Sequence, residues 1–355
     1  MQDLSRVRLV EAARAGGDYL LRVQKRDGDF NYYYDAAEDR FESRRYNIVR
    51  HAGAALSLFD LYSATRDSRY LESAQRAVRL LGTRFRRARG ATGSYVLDYD
   101  GKAKLGANGL ALVALARQID LDPRNGNRRS AEALAKLILA LQRNDGSFEM
   151  RYKLRANEQV LAESLYYPGE AMLGLIRLYG LNHDARLLDA ARRGADFLIQ
   201  RQQKMNSLPA DAWFMQALEA LYSIGHEKRY AEHAIALAEA MISDQYTDDD
   251  PEGYAGGFGP GSPHGTPAAS RAEGLVAAYR IARSTGHVRA AKIASALNAS
   301  ARFQLAQQLT ADSPGVRNPR LAAGGFREGI TSMKIRIDYV QHNVSSLLGI
   351  AEALY

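Results

Sequence analysis

The sequence predicts an all-α fold, an (α/α)6 barrel of six helical hairpins occupying residues 1–355 as one domain, with long loops and short β-hairpins at one end. Three observations predict it. The stretch Arg45–Tyr62 opens with polar residues (Tyr46, Asn47, Arg50, His51), passes through small ones (Ala52, Gly53, Ala54, Ala55) and ends on Leu58, Phe59, Leu61 and Tyr62. That is a helix packed on all sides with a polar mouth. Five later segments repeat the design, and the markers His51, Asn108, Glu170, Trp213, Arg271 and His342 stand 57, 62, 43, 58 and 71 residues apart, so one supersecondary unit is copied along the chain. Finally, the long loops all precede the inner helices, which places the six inner N-termini at one end.

In chain order, residues 5–25 carry apolar side chains at helical spacing (Val7, Val10, Ala13, Leu20, Val23) and form an outer helix. The excursion that follows turns at Asp27-Gly28, and Phe30, Tyr32 and Tyr34 alternate as in a short strand. After the inner helix of residues 45–62, an outer helix spans 69–87 with Asp67 and Ser68 as cap candidates. A second hairpin-like excursion leads to the inner helix at Asn108, and an outer helix covers 129–142. The next excursion repeats the first, since Gln24 to Phe30 and Gln142 to Phe148 both read Q-x-x-D-G-x-F. Pro168 suits the first turn of the third inner helix, where no amide donor is needed. Outer 187–203, inner 211–222 and outer 229–243 follow. The Gly- and Pro-rich stretch 245–270 is expected to be non-helical and to deliver the chain to the inner helix at Ser270. An outer helix over 288–309, a loop with another Gly-Gly-Phe, and the inner helix from Asp338 complete the set.

Composition narrows the function. A hydrophobic content of 46% with 25% charged residues is that of a chain able to bury a sizeable core. No apolar run is long enough to span a membrane. The N-terminus is charged and amphipathic, so the sequence-level expectation is either a cytoplasmic protein or a periplasmic or extracellular one whose leader has been removed. The absence of cysteine excludes disulfides, thiolate metal sites and a cysteine nucleophile. A net charge of +8, with arginines clustered at 84–89 and 124–129, favours an anionic partner. Nothing resembles a nucleic-acid motif. With no Walker loop, dinucleotide fingerprint or H-E-x-x-H, neither cofactor nor metal is expected, and Asp248-Asp249-Asp250 is expected to be a solvated loop.

Position in the repeat selects the candidate residues. Glu170, Asp211 and Glu273 begin three inner helices, and paired carboxylates across a cleft are what glycoside hydrolysis requires. His51 and His342 sit at matching helix starts and could serve as general bases. Arg50 and Arg271, with the two histidines, would form a cationic wall for an acidic sugar. Tyr46, Tyr166, Tyr167 and Trp213 offer flat rings for sugar faces, and Asp338 and Gln341 complete the substrate-binding set. The competing assignment for the acids is ordinary helix capping, and for a buried histidine a satisfied core residue. Tyr62, Tyr179, Tyr222 and Tyr355, at the opposite helix ends, are expected to pack between hairpins.

Tyr167-Pro168-Gly169-Glu170 with the following Leu-Ile-Arg-Leu-Tyr, and Arg271-Ala272-Glu273-Gly274-Leu275 with its Arg-Ser-Thr-Gly end, resemble the (α/α)6-barrel carbohydrate-active superfamily. It includes glycoside hydrolases, the N-acylglucosamine epimerase type and the C-terminal domain of glucuronyl C5-epimerases. The Q-x-x-D-G-x-F pair is also similar to the repeat of triterpene cyclases and prenyltransferases, though the zinc-binding cysteine of the latter is missing. The expected activity is hydrolysis of an acidic polysaccharide or oligosaccharide by carboxylate acid/base catalysis. The alternatives are a uronate lyase or sugar epimerase using His or Tyr with Arg, and a noncatalytic glycan-binding barrel.

Overall fold

Asn47 and Asp211 cap two of the inner helices through their side chains, and the inner helices continue through small residues that let their neighbours approach. A computed structural model describes residues 4–155 and 164–355; the part of the third excursion at 156–163 lies outside the described residues. The inner helices are α2 (Ile48–Thr65), α4 (Leu105–Leu121), α6 (Tyr167–Asn182), α8 (Ala212–Gly225), α10 (Gly265–Ser284) and α13 (Ile337–Leu354). Each packs on the next and α13 packs on α2, so the ring closes. The outer helices are α1 (Arg6–Val23), α3 (Ser68–Thr83), α5 (Arg128–Ala140), α7 (Ala185–Gln202), α9 (Lys228–Ser243) and α11 (Ala290–Gln307), with the short α12 (Pro319–Ala322) in the last excursion. The (α/α)6 barrel is therefore present as expected.

Inner helices touch almost backbone to backbone. A Cβ on Gly109 would lie 2.7 Å from the Ala171 amide nitrogen, and one on Gly174 would lie 2.9 Å from the Gly109 carbonyl oxygen, so α4 and α6 meet at a distance only glycine allows.

Strand pairing ties the excursions together. Strands β1 (Tyr33–Asp35), β2 (Arg40–Phe41), β7 (Arg327–Gly329) and β8 (Ser332–Arg336) form an antiparallel sheet in the order β2-β1-β8-β7, with Tyr33 opposite Arg336. This joins the first excursion to the last over the α13/α2 seam. Strand β3 (Phe85–Arg87) pairs with β4 (Ser94–Val96), and β5 (Ala103–Lys104) pairs with β6 (Arg151–Tyr152). The expected helix over 69–87 thus stops at Thr83, because the next residues join a ribbon. The first strand forms at 33–35, slightly later than the alternation from Phe30 suggests. Residues 265–269, expected to be loop, instead form the first turn of α10, with Pro267 near its start.

The repeated Q-x-x-D-G-x-F motif fastens one outer helix to another. Gln24 Nε2 donates to the carbonyls of Gly28 (3.3 Å) and of Ser73 on α3 (3.0 Å), and Gln142 does the same to Gly146 (3.1 Å) and to Ala190 on α7 (2.8 Å). Two further copies, stretched by insertion, use Gln245 with Gly256 and Ala296, and Gln308 with Gly324 and Ala12. Each of the four glutamines pairs with the phenylalanine that ends its motif: Phe30, Phe148, Phe258 and Phe326.

At the opposite end, where the connections are short, each inner helix contributes a charged side chain to a shared cluster: Asp60, Arg117, Arg177, Glu219, Arg280 and Glu352. Arg117 meets Asp60 at 3.2 Å and Arg280 meets Glu352 at 2.7 Å, while Arg177 acts on both Asp60 and Glu219. Three acids thus face three bases. Tyr62, Tyr179 and Tyr222 pack partly buried against the core, as expected, whereas Tyr355 is exposed; the backbone carbonyls of the first three accept from left-handed cap residues Arg66, His183 and His226. Among the described residues no helix is long and apolar enough to cross a membrane.

Candidate active site

A cavity of about 580 Å³ opens at the end where the inner helices begin. Its wall draws on every inner helix: Arg50 from α2, Leu110 from α4, Glu170 from α6, Trp213 from α8, Arg271 from α10, and Asp338, Gln341 and His342 from α13. Tyr166 and Tyr167 line it beside Glu170, and Glu328 and Arg336 enter from β7 and β8. Side chains far apart in sequence therefore meet because six helix starts share one bowl. Asn47 caps α2, its Oδ1 accepting from the amides of Val49 (2.9 Å) and Arg50 (3.2 Å). That cap fixes the turn from which Arg50 projects.

His342 and Glu273 form the best-defined pair. Nδ1 of His342 lies 3.2 Å from both carboxylate oxygens of Glu273, and Trp213 packs against the imidazole at 6.1 Å between ring centroids. No hydrogen bond engages Nε2 among the described residues. Burial works against a charged imidazole, but the Glu273 carboxylate outweighs it and raises the His342 pKa above its ordinary value. Burial raises that of Glu273 in turn. The pair holds its proton tightly, and Glu273 fixes the orientation of the imidazole.

Glu170 and Asp211 start adjacent inner helices, and both are buried, at 4% and 0% exposure. Asp211 Oδ1 caps α8 by accepting from Phe214 N at 3.0 Å, whereas Asp211 Oδ2 and Glu170 Oε2 have no hydrogen-bond partner among the described residues. Burial, then the neighbouring Asp211 charge, pushes the Glu170 pKa up to about 8, and burial pushes that of Asp211 up to about 7. Glu170 is thus a proton-carrying acid at neutral pH that reaches the cavity wall. Asp211 does not line the cavity; it sits behind, at the cap.

The expected cationic wall is largely neutralised. Asp338 is gripped by Arg336, whose Nη2 donates at 2.9 Å, and by Arg50 Nε at 3.1 Å, and Arg50 also donates to the Tyr32 hydroxyl. Glu328 accepts from the Tyr339 hydroxyl at 2.9 Å and from Ser332 at 3.1 Å. Arg271 is the exception. Its Nη1 donates to the Gly259 carbonyl (3.2 Å), its guanidinium stacks 5.1 Å from the Phe258 ring, and it makes no ion pair among the described residues. Burial lowers its pKa, outweighing the opposing effect of the Asp244 charge.

Four expected residues do not line the cavity: Asp211, Glu273, His51 and Tyr46. His51 is fully buried, with Nε2 2.8 Å from the Ala77 carbonyl of α3 and Nδ1 2.8 Å from the Tyr46 hydroxyl. Tyr46 is engaged there too, accepting from Phe30 N at 3.3 Å. Consecutive residues on a helix point about 100° apart, so with Arg50 facing the cavity, His51 faces the outer helix, and neither His51 nor Tyr46 lines the cavity. Glu273 likewise stands behind His342 and not on the wall. Sequence reasoning passed over Arg336 and Glu328. The signal for the first was available in Arg336-Ile-Asp338, a strand running into a helix with opposite charges two residues apart, and Glu328 lacked any such mark. No group of three or more His, Asp or Glu side chains suited to a metal occurs among the described residues.

No family model and no curated protein matches the sequence. Solved structures do. An α-1,6-mannanase of Salegentibacter sp. HEL1_6, a glycoside hydrolase seen with mannotriose in an inactive variant carrying two consecutive Asp-to-Asn replacements, aligns at a TM-score of 0.69 and 13% identity. The alignment covers 97% of this chain and 99% of that one. A D-mannose isomerase aligns at 0.73 and 12% identity over 98% and 97% of the two chains. A cellobiose 2-epimerase from Bacillus thermoamylovorans aligns at 0.71 and 13% over 98% and 99%. At this identity the likeness is one of fold, and the fold is that of the (α/α)6 barrels.

Proposed function

We propose that this protein is a carbohydrate-active enzyme working by acid–base catalysis in the mouth cavity, with His342 as base, Glu273 as the residue that positions it, and Glu170 as acid. The observation that carries the reading is the His342–Glu273 pair on the cavity wall, in which Nδ1 is held by the carboxylate and Nε2 has no hydrogen bond among the described residues. Proton transfer beside a sugar carbonyl, leading to epimerisation or isomerisation, fits best. Nε2 takes the proton from the carbon next to the carbonyl, the C–H electron pair moves into the new C–C double bond, and the carbonyl oxygen takes the Glu170 proton. Return of a proton on the other face or at the neighbouring carbon gives the product. The isomerase and epimerase among the similar structures support this class of chemistry.

Hydrolysis is the second reading, favoured by Glu170, since a carboxyl protonated near pH 7 is what a leaving sugar oxygen needs. It also requires an ionised carboxylate across the scissile bond. Asp338, on the cavity wall, is already held by two arginines. The mannanase was inactivated through consecutive aspartates, and the one such run here, Asp248–Asp250, stands off the cavity with Asp250 Oδ2 accepting from Thr247 N. Both observations favour proton transfer. Arg271, which lines the cavity and makes no ion pair among the described residues, supports an acidic substituent on the sugar.

Incubation with aldoses, uronates and short mannosides in D2O separates the readings. Proton transfer predicts deuterium in recovered sugar, lost by at least about 100-fold in H342Q. Activity should require pH above the raised His342 value and decline above about 8 as Glu170 ionises. New reducing ends without deuterium would establish hydrolysis instead, and binding without either would leave a lectin-like barrel.

A further inference from the structure

The densest basic stretch of the chain plays no part in the cavity. Between Arg84 and Lys104 lie six cationic side chains and two acids. Both acids, Asp98 and Asp100, are taken by Lys104 at 2.7 and 2.8 Å. Arg86, Arg87, Arg89 and Lys102 are left exposed. Arg86 donates only to the carbonyls of Thr83 and Phe85, and Arg89 to that of Leu154, and none of the four has an ion-pair partner among the described residues. The β5–β6 pairing brings exposed Lys153 and Arg155 alongside, and Tyr95 stacks on Tyr152 at 5.2 Å in the same surface.

The opposite side of the mouth has the opposite sign. The excursion from Asp244 to His264 holds five acids and neither Lys nor Arg. It enters α10, whereas the basic excursion enters α4. In the ring order α2, α4, α6, α8, α10, α13 these helices stand three places apart, so the two excursions face each other across the opening. Elsewhere on the rim, Arg317 and Lys334 are matched by Glu38 and Glu42.

We infer that the mouth is polarised to take a polyanionic glycan lying over the Arg86–Lys102 hairpin, with its end in the cavity. This rests on the reading that the cavity accepts sugar. Exposed cations without partners gain most from a polymer whose charges recur at short spacing, because binding releases condensed counterions. Affinity then falls steeply with salt, in proportion to the number of charges neutralised. The acidic excursion repels the same polymer at contact range, inside the screening length of about 8–10 Å, and so sets which way it leaves the cavity.

The test compares the full chain with an R86S/R87S/K102S variant, measuring binding to a polyuronate, a neutral mannan and a single-stranded RNA of matched charge from low to physiological salt. The expected result is polyuronate binding that weakens with salt. In the variant it should be roughly tenfold weaker at low salt with a shallower slope, while turnover of a short sugar is unchanged. Equal polyuronate affinity in the two proteins, no salt-dependent binding by either, or RNA bound as tightly as polyuronate would overturn the proposal. Loss of polymer binding in the variant of a chain that turns over no sugar would uphold the rim and remove the catalytic reading, so the two fail separately.

Discussion

Glu170 carries a cost that its surroundings make visible. Its carboxyl is buried with Oε2 unpartnered, and its pKa rises from 4.5 to about 8 on folding. Since the folded value lies above the unfolded one, the folded protein keeps a proton that the unfolded chain gives up. Stability is therefore fullest below about pH 4.5 and is lost as pH climbs toward 8, by something on the order of a few kcal/mol. E170Q should flatten that decline, melting several degrees higher than wild type at pH 8 and close to it at pH 4.5; parallel melting curves across the range would refute the assignment. At this scale the sequence was legible in part. Glu170, Arg271 and His342 can be picked because each stands within the first two turns of an inner helix of the repeat. His51 satisfied the same criterion and faces outward, because residue type says nothing about the 100° step between neighbours on a helix. Glu273 and Asp211 are near the chemistry but one layer behind it, a depth that sequence position does not encode.

Among the elements, the glutamine that ends an outer helix does more than cap it. Gln142 Nε2 bonds two carbonyls, and its Oε1 accepts from Arg193 of α7 at 2.6 Å. Q142A leaves the Ala190 carbonyl without that donor and should cost about 1–3 kcal/mol, read as a lower urea midpoint with turnover retained. Gly146 has φ +91° and a Cβ there would sit 2.4 Å from the Arg193 carbonyl oxygen, so G146A should cost more than Q142A. Two of the four copies were evident as Q-x-x-D-G-x-F. The others are split by insertions between the glutamine and its Gly-x-Phe or Gly-Phe end, so a fixed spacing misses them although the hydrogen bonds are the same. Helix positions were legible throughout, since apolar periodicity survives insertion in the loops. The β3–β4 ribbon was not, because Arg84 to Arg89 carries charges at helical and strand spacing alike.

Across the whole molecule, α1 packs against α13 and α2, so the first element closes the ring that the last one completes. Residue 6 and residue 354 lie at the same end of the barrel, the end of short connections. A circular permutant opened between Gly286 and His287, with the old ends joined by a flexible linker, should fold with a melting temperature within a few degrees of the parent; a molten or insoluble product would show that closure depends on the order of synthesis. The belt of charges from Asp60 to Glu352 has its own consequence. Below the cavity Val113, Leu173 and Val276 are buried, and beneath them three acids and three bases interlock. Traffic therefore has one door. On the proposed function, a reactant cannot follow its predecessor through from behind, so the spent molecule must back out before another enters, and a long chain can offer only its tip.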